Sequence, residues 1–308
     1  MPAADRWTVR DDGHVPTGHV AVKTLRTRLE AVWSELRYAC ASNGSTTDDV
    51  EHVHQLRVAT RRTLAAFHAF RKLLPARRRA WFEKRLVRLR RAAGEARDLD
   101  VLSARLAQPA TPAARARHRL VSMLSKQRAQ SRTPIQELHE KLVEEDWPGR
   151  VERLLENIGR RRHQPPFSTF ARRHFKPMIA EFFEAADHKL RNASELHALR
   201  IQGKKLRYAL EIFATVLPVK AGFKCRESLE RMQRTLGDFT DHSAAADRFD
   251  RWAQSADAGS NRDLLATLCR DETSRADAAR KHFSRWWNQD RRRSLRRRLE
   301  RTLKRSSA

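Results

Sequence analysis

Apolar residues recur at helical spacing along most of the chain. Between Pro16 and Ala41, Val20, Leu25, Leu29, Val32, Leu36 and Ala39 return every three to five residues, the signature of one buried helix face. The stretch SNGSTTDD from Ser42 breaks that pattern at Gly44 and offers Thr46, Thr47 and Asp48 as N-caps for a second helix. This second helix is expected to reach Leu74 and to stop at Pro75. A third is expected over roughly 77–93, ending near Gly94, and a fourth from about Asp98. Shorter helical pieces follow, interrupted at Pro109, Pro112, Pro134, Pro148 and Gly149. After Pro165 and Pro166 the four-segment order begins again, and from Asn261 a long helical pattern runs through Leu264, Leu268, Phe283 and Trp286.

The second half repeats the first in register. Val53-His-Gln-Leu-Arg-Val-Ala-Thr-Arg-Arg62 aligns without gaps on Leu196-His-Ala-Leu-Arg-Ile-Gln-Gly-Lys-Lys205, an offset of 143 residues from His54 to His197. The same offset pairs Ala66 with Ala209, Phe70 with Phe213, Leu74-Pro75 with Leu217-Pro218, Leu86 with Leu229, Arg88 with Arg231 and Arg91 with Arg234. It closes on Gly94 with Gly237, Glu95 with Asp238 and Asp98 with Asp241. A register held this long implies a duplicated supersecondary unit. The expected architecture is all-α: two four-helix bundles related by a pseudo-twofold, each with its own apolar core. The expected limits are a loose N-terminal arm over 1–15, a first half with connecting helices over 16–164, a second half over 165–290 and a basic tail over 291–308.

Composition sharpens this picture. The 308 residues carry 64 Lys and Arg against 37 Asp and Glu, a net charge of +27 with His neutral, so an anionic partner is expected. Only 10 Gly and 11 Pro punctuate the chain, in keeping with helix throughout. Cys40, Cys225 and Cys269 lie far apart with no metal-ligand spacing, which points to a reducing compartment. Neither a secretory leader nor an apolar run of about 18 residues is visible, so the expectation is a cytoplasmic protein without membrane contact. The final run RRRSLRRRLERTLKR reads either as a solvated, fraying extension or as a tail that adds anion affinity.

The charge is arranged in stripes. On a wheel of about 100° per residue, Leu56, Ala59, Thr63, Phe67, Phe70 and Leu74 fall on one side of the second helix. His54, Arg57, Arg61, His68 and Lys72 fall on the other, with Arg62 on the shoulder. In the second copy Leu199, Leu206, Leu210, Phe213 and Leu217 face His197, Arg200, Lys204 and Tyr208, flanked by Lys205 and Arg207. Glu211 takes the place of His68, which shortens that stripe. Arg offers a planar fork for two oxygens of one phosphate, Lys a compact charge tolerant of imperfect fit, and donors one turn apart can follow a linear anion. Histidine adds a donor that a polyanion would hold in the charged form, which favours binding at mildly acidic pH. Arg88, Arg91, Arg231 and Arg234 occupy equivalent places on the third helices and read either as further ligand contacts or as salt-bridge partners of Asp98 and Asp241. Those two acids read as helix N-caps or as orienting partners for a basic residue rather than as catalytic acids.

His54-Gln-Leu-Arg57-Val-Ala-Thr-Arg61-Arg62 and His197-Ala-Leu-Arg200-Ile-Gln-Gly-Lys204-Lys205-Leu-Arg207-Tyr208 resemble the two signature helices of CHAD domains, α-helical domains named for their histidines. Gly94-Glu-Ala-Arg97-Asp98 and Leu236-Gly237-Asp-Phe-Thr-Asp241 are similar to the family's turns after the third helix of each half. The resemblance spans roughly residues 16–290. It implies two four-helix bundles around a basic groove or pore, inorganic polyphosphate as ligand and association with polyphosphate granules in a prokaryotic cell. The residues it marks are His54, Arg57, Arg61, Arg62, His197, Arg200, Lys204, Lys205, Arg207 and Tyr208. Thr240 stands where the family's second turn often has Asn, and the basic tail is not explained by the resemblance.

Other functions fit less well. No phosphate-binding Gly-Lys loop, zinc-type Cys/His spacing or nucleophile elbow occurs, so neither catalysis, a cofactor nor a metal is expected. His52 and His54 would project about 200° apart on a helix, too far to share an ion readily. Relatives of CHAD domains are often joined to a triphosphate-tunnel β-barrel; this chain lacks alternating acidic strands, so any service to such an enzyme would be in trans. Nonspecific binding to a nucleic-acid backbone remains the alternative, weakened because Tyr208 is the sole aromatic on either stripe. Association of copies into a homo-oligomer is left open by the sequence.

Overall fold

The computed structural model describes residues 7, 13–41, 47–106, 114–160, 164–187, 190, 192–255, 259 and 261–304. Among these, every regular element is helical: α1 (Thr17–Ala41), α2 (Thr47–Ala69), α3 (Ala76–Leu106), α4 (Ala114–Gln130), α5 (Thr133–Glu144), α6 (Trp147–Gly159), α7 (Phe167–Asp187), α8 (Ala193–Ile212), α9 (Val219–Gln254), α10 (Arg262–Trp286) and α11 (Gln289–Lys304). The all-α expectation is met. One isolated antiparallel bridge joins Pro16 to Pro166. No described helix is long and apolar enough to cross a membrane.

The chain divides into two compact units, one made of residues 1–109 and 121–170, the other of 110–120 and 171–308. In the first unit α1 packs on α2, and α2 on α3, with α5 and α6 closing the other side of α1. Val20, Leu25, Leu29, Val32 and Leu36 of α1 are all fully buried, as their spacing predicts. Phe82 sits between Phe67, with ring centroids 5.8 Å apart, and Trp147 at 5.0 Å, so one aromatic cluster ties α2, α3 and α6. A buried carboxylate ties the ends of three helices: Asp100 on α3 pairs with Arg128 on α4 at 2.8 Å and with Arg132, ahead of α5, at 3.7 Å.

In the second unit α9 is the hub, packed by α8, α10 and α11. Leu229, Met232 and Leu236 of α9 are buried, as are Leu199 and Leu206 of α8 and Phe283 of α10. Gly203 of α8 lies directly against Met232, where a side chain would collide; its counterpart in the first copy is Thr60, also fully buried.

Several expected boundaries shift. α3 and α9 run through Gly94 and Gly237 without ending, so the predicted third and fourth helices of each half are one long helix. Burial explains why. Ala96, Leu99 and Leu102 after Gly94, and Phe239, Ala245 and Phe249 after Gly237, continue the buried face, and that gain exceeds the roughly 1 kcal/mol that a helical glycine costs against alanine. Conversely α2 stops at Ala69, before Leu74, because Arg71 N–H and Leu74 N–H bond three residues back and tighten the chain ahead of Pro75. The proposed cap Thr46 lies outside the described residues, as do the breaks at Pro109 and Pro112 and the side chains of Thr47 and Asp48.

The N-terminal arm is not loose where it is described. Trp7 is buried, and the carbonyls of Gly13 and Val15 accept from Ser168 and Phe167 N–H at 3.0 Å each. The basic tail is likewise part of the fold. α11 buries Leu295, Leu299 and Thr302, packs on α9, and anchors Arg292 to the Ala186 carbonyl at 2.8 Å and Arg296 to Asp187 at 2.7 Å. Leucines four residues apart give the arginine run an apolar side, which the charge count conceals.

Candidate functional site

The basic stripe of the first unit exists because α2 has something to bury on its other side. Leu56, Ala59, Thr63, Ala66 and Phe67 are fully enclosed, and the Thr63 hydroxyl shares its hydrogen bond between the Ala59 and Arg28 carbonyls at 2.8 and 3.2 Å. That fixes the rotation of α2, leaving His54 half-buried and Arg57 and Arg61 partly exposed, with His68 in the open at the last turn. The Arg61 side chain lies back along the helix, its Nε donating to the Arg57 carbonyl at 3.3 Å. Lys72 is exposed, but it lies beyond the end of α2, so the helical wheel does not place it in this row.

Arg57 meets the neighbouring helix. Its Nη1 donates to Asp98 Oδ1 of α3 at 2.9 Å, a pair open enough to water that a ligand can reach it. In the second unit Arg200 on α8 pairs with Asp241 on α9 at 3.8 Å. The two acids therefore orient stripe arginines. They do not cap helices, because both stand inside a continuous helix. Their engagement also leaves the third-helix arginines without the salt bridges considered for them. Arg88, Arg91 and Arg234 are exposed and have no hydrogen-bond or ionic partner among the described residues, while Arg231 lies over the Trp286 ring at 5.5 Å.

His54 is held below the ordinary histidine pKa of 6.5, first by burial and then by Arg97, with Arg61 and Arg57 adding to the effect and Glu51 opposing it. Arg97 of α3 was part of a motif the sequence displayed but received no role there; its proximity to His54 needs the antiparallel packing of α2 on α3, which no local pattern reveals.

Not every predicted contact faces outward. Arg62 is buried, its guanidinium 4.8 Å over the Trp7 ring and its carbonyl accepting from the buried Arg28 at 2.6 Å. It braces the arm against α2, and a shoulder position on the wheel gave no sign of a tryptophan dozens of residues earlier. Tyr208 is also buried, with Arg207 stacked over it at 4.7 Å. Arg207 in turn bonds Glu211 at 3.0 Å and Gln233 at 3.1 Å. Glu211 is thus a buried counter-charge and not a solvent-facing replacement for His68. What remains outward on the second stripe is His197 and Lys205, exposed, and Arg200 and Lys204, partly exposed.

Gly94 and Gly237 add one further feature. Each sits mid-helix between the third-helix arginines and the stripe-pairing aspartate, and each has open space where a Cβ would stand. Packing does not require glycine at either position.

These features define a class: an all-α protein in which a cationic helix face, with an acid on the adjacent helix orienting its arginine, occurs once in each of two units. The chain belongs to the CHAD domain family, whose model matches residues 27–250. Its fold is similar to the crystal structure of the CHAD domain from the plant Ricinus communis, with a TM-score of 0.71 at 20% identity over 90% of this chain and 94% of that one. It is also similar to PptA from Streptomyces chartreusis, with a TM-score of 0.52 at 20% identity over 89% of this chain and 99% of that one. Among curated proteins no match is found.

Proposed function

We propose that this protein binds inorganic polyphosphate through the cationic faces of α2 with α3 and of α8 with α9, without catalysis of its own, and that it associates with polyphosphate granules. The observation that carries the reading is the duplicated arrangement itself. Arg57 and Arg200 hold equivalent positions and are oriented by equivalent aspartates, and Arg88 with Arg91 and Arg231 with Arg234 repeat beside them on exposed helix surface. A solvated face has no need to repeat either the arginine or its orienting acid. Guanidiniums held in place before binding lose less freedom on meeting phosphate, which favours a site over a diffuse field.

Membership in the CHAD family supports polyphosphate as the anion. Nucleic acid is less well served. The sole aromatic on either stripe, Tyr208, is buried beneath Arg207 and offers no face for a base. Arg61, Lys204, Lys205, His197 and His68 complete the donor set on the two faces, while Arg62, Arg207 and Tyr208 support it from within.

The test is titration of the full chain with long-chain polyphosphate at several salt concentrations. In the variant carrying Arg57→Ala and Arg200→Ala, affinity and the salt slope both fall, because contacts that release counterions are lost. Arg297→Ala, on an exposed part of α11, changes little. Equal losses from both variants would move the binding site to α11 and contradict the reading.

A further inference from the structure

Away from the stripes, the start of α3 and the side of α6 enclose an open cavity of about 470 Å³, lined by Arg77, Arg78, Trp81, Phe82, Arg150 and Arg153. Its volume falls within the range of small-molecule sites, roughly 300–1,000 Å³. Four guanidiniums and two aromatic rings line it, and no carboxylate does. All six residues belong to the first unit.

The four arginines are held in different ways. Arg78 donates to the Arg153 carbonyl, and Arg153 pairs with Asp146 at 2.9 Å, so one side of the cavity is cross-braced between α3 and α6. Arg150 donates to the Glu145 carbonyl at 2.6 Å and lies over the Trp81 ring at 4.7 Å, fixed in place with no carboxylate hydrogen-bonded to it. Arg77 is exposed and has no partner among the described residues. The nearby carboxylates Glu145 and Asp146 are taken up by Arg85, at 2.8 Å, and by Arg153. Arg150 also acts on both carboxylates through its charge, so the five arginines Arg77, Arg78, Arg85, Arg150 and Arg153 share two acids and net positive charge remains, with Arg77 lining the cavity.

Trp81 tells which anion fits. Its ring carries Arg85 at 4.0 Å as well as Arg150, so its π surface is committed to arginine and does not offer a platform to a nucleobase. The occupant should be phosphate without an aromatic group. The repeat keeps most of the charge of this site but not its aromatic residues. The offset that carries His54 onto His197 places Lys220, Arg293 and Arg296 at Arg77, Arg150 and Arg153, but Ala221 at Arg78 and Lys224 and Cys225 at Trp81 and Phe82. What sets the first unit's cavity apart is therefore its aromatic wall and Arg78, while the remaining charge is shared with the repeat.

We propose that this cavity is a separate site for a short inorganic polyphosphate, of the size of tripolyphosphate, gripped by Arg77, Arg78, Arg150 and Arg153. The site does not depend on the function assigned to the stripes. Several guanidiniums converging on one cavity match a compact, multiply charged anion better than an extended one.

The experiment follows the tryptophan indole N–H resonances of the full chain during titration with sodium tripolyphosphate, the Trp81 signal being assigned by Trp81→Phe. The Trp81 resonance shifts saturably, and its midpoint is unchanged within about twofold in the Arg57→Ala, Arg200→Ala variant. In Arg77→Gln, which removes an exposed and unpartnered side chain and leaves the fold intact, the midpoint rises about tenfold, the scale of one lost charge-assisted hydrogen bond. Adenosine triphosphate gives a midpoint no lower than tripolyphosphate. A Trp81 signal that stays put while others move, or a midpoint unaffected by Arg77→Gln, would overturn the proposal. Markedly tighter binding of the nucleotide would overturn it too, by showing that a base finds a place the geometry denies it.

Discussion

Arg57 on α2 donates to Asp98 on α3 at 2.9 Å, and 143 residues later Arg200 on α8 faces Asp241 on α9 at 3.8 Å. Each acid holds an arginine of a cationic face in place, and each would also repel a polyanion that approaches it. Both aspartates are at least half exposed, so the pairing is weak, on the order of 0.2–1 kcal/mol. Changing Asp98 and Asp241 to Ala is expected to lower polyphosphate affinity severalfold in a direct titration, because the two arginines are no longer held in place before binding. A rise in affinity would show that the repulsion matters more than orienting the arginine.

His54 gives the first face a pH dependence of definite sign. Burial and the neighbouring arginines hold it below 6.5 in the free protein, so it is neutral at pH 7. A bound polyanion stabilises the charged form and raises the pKa, so binding takes up a proton. Affinity therefore increases as pH falls from the bound-state pKa toward the free-state pKa, and levels off below it. Calorimetry in buffers of different ionisation enthalpy should record that uptake, and His54→Gln should reduce it. For the unliganded fold the sign is opposite: with a depressed folded pKa, the contribution of neutral His54 to stability is complete above 6.5 and is lost as pH falls toward the folded value.

Gly94 and Gly237 weaken two long helices with no packing reason in view, since a Cβ at either would meet open space. Gly94→Ala and Gly237→Ala are each expected to stabilise the protein by about 0.5–1 kcal/mol, read from denaturant midpoints. If phosphate approaches the helix backbone there, the same changes weaken polyphosphate binding, giving a stability gain and an affinity loss in one variant.

Asp100 makes the opposite kind of ion pair from Asp98. Its side chain is 2% exposed and its partner Arg132 is 6% exposed, so Asp100→Ala strands a cation where water cannot reach it. A loss on the order of 3–5 kcal/mol is expected, measured by chemical denaturation, with the helix content of the folded state retained.

Much of this was legible in the sequence, and what was not has physical causes. The buried faces of α1, α2 and α8 follow from spacing alone, and so does the register of the repeat, because each is local. Helix ends were less legible. Gly94 and Gly237 read as stops, and only the burial of Leu99, Leu102, Phe239 and Phe249 beyond them shows why the helices continue. In the stripes, His54, Arg57 and Arg200 stand where the wheel put them, but Arg62 and Tyr208 face inward, because Trp7 and Arg207 cover them from positions the wheel does not represent. α11 is the converse case. Its arginines dominated the reading, and Leu295 and Leu299 decided the structure.

The central claim is that these repeated faces recognise polyphosphate as a site and not as diffuse charge. The most direct measurement is a competition titration at fixed ionic strength, with long-chain polyphosphate, double-stranded DNA and single-stranded RNA matched for total charge. Polyphosphate should displace both nucleic acids, and the preference should shrink in the variant lacking Arg57 and Arg200. Equal affinity for all three polymers, unchanged by that variant, would contradict the account.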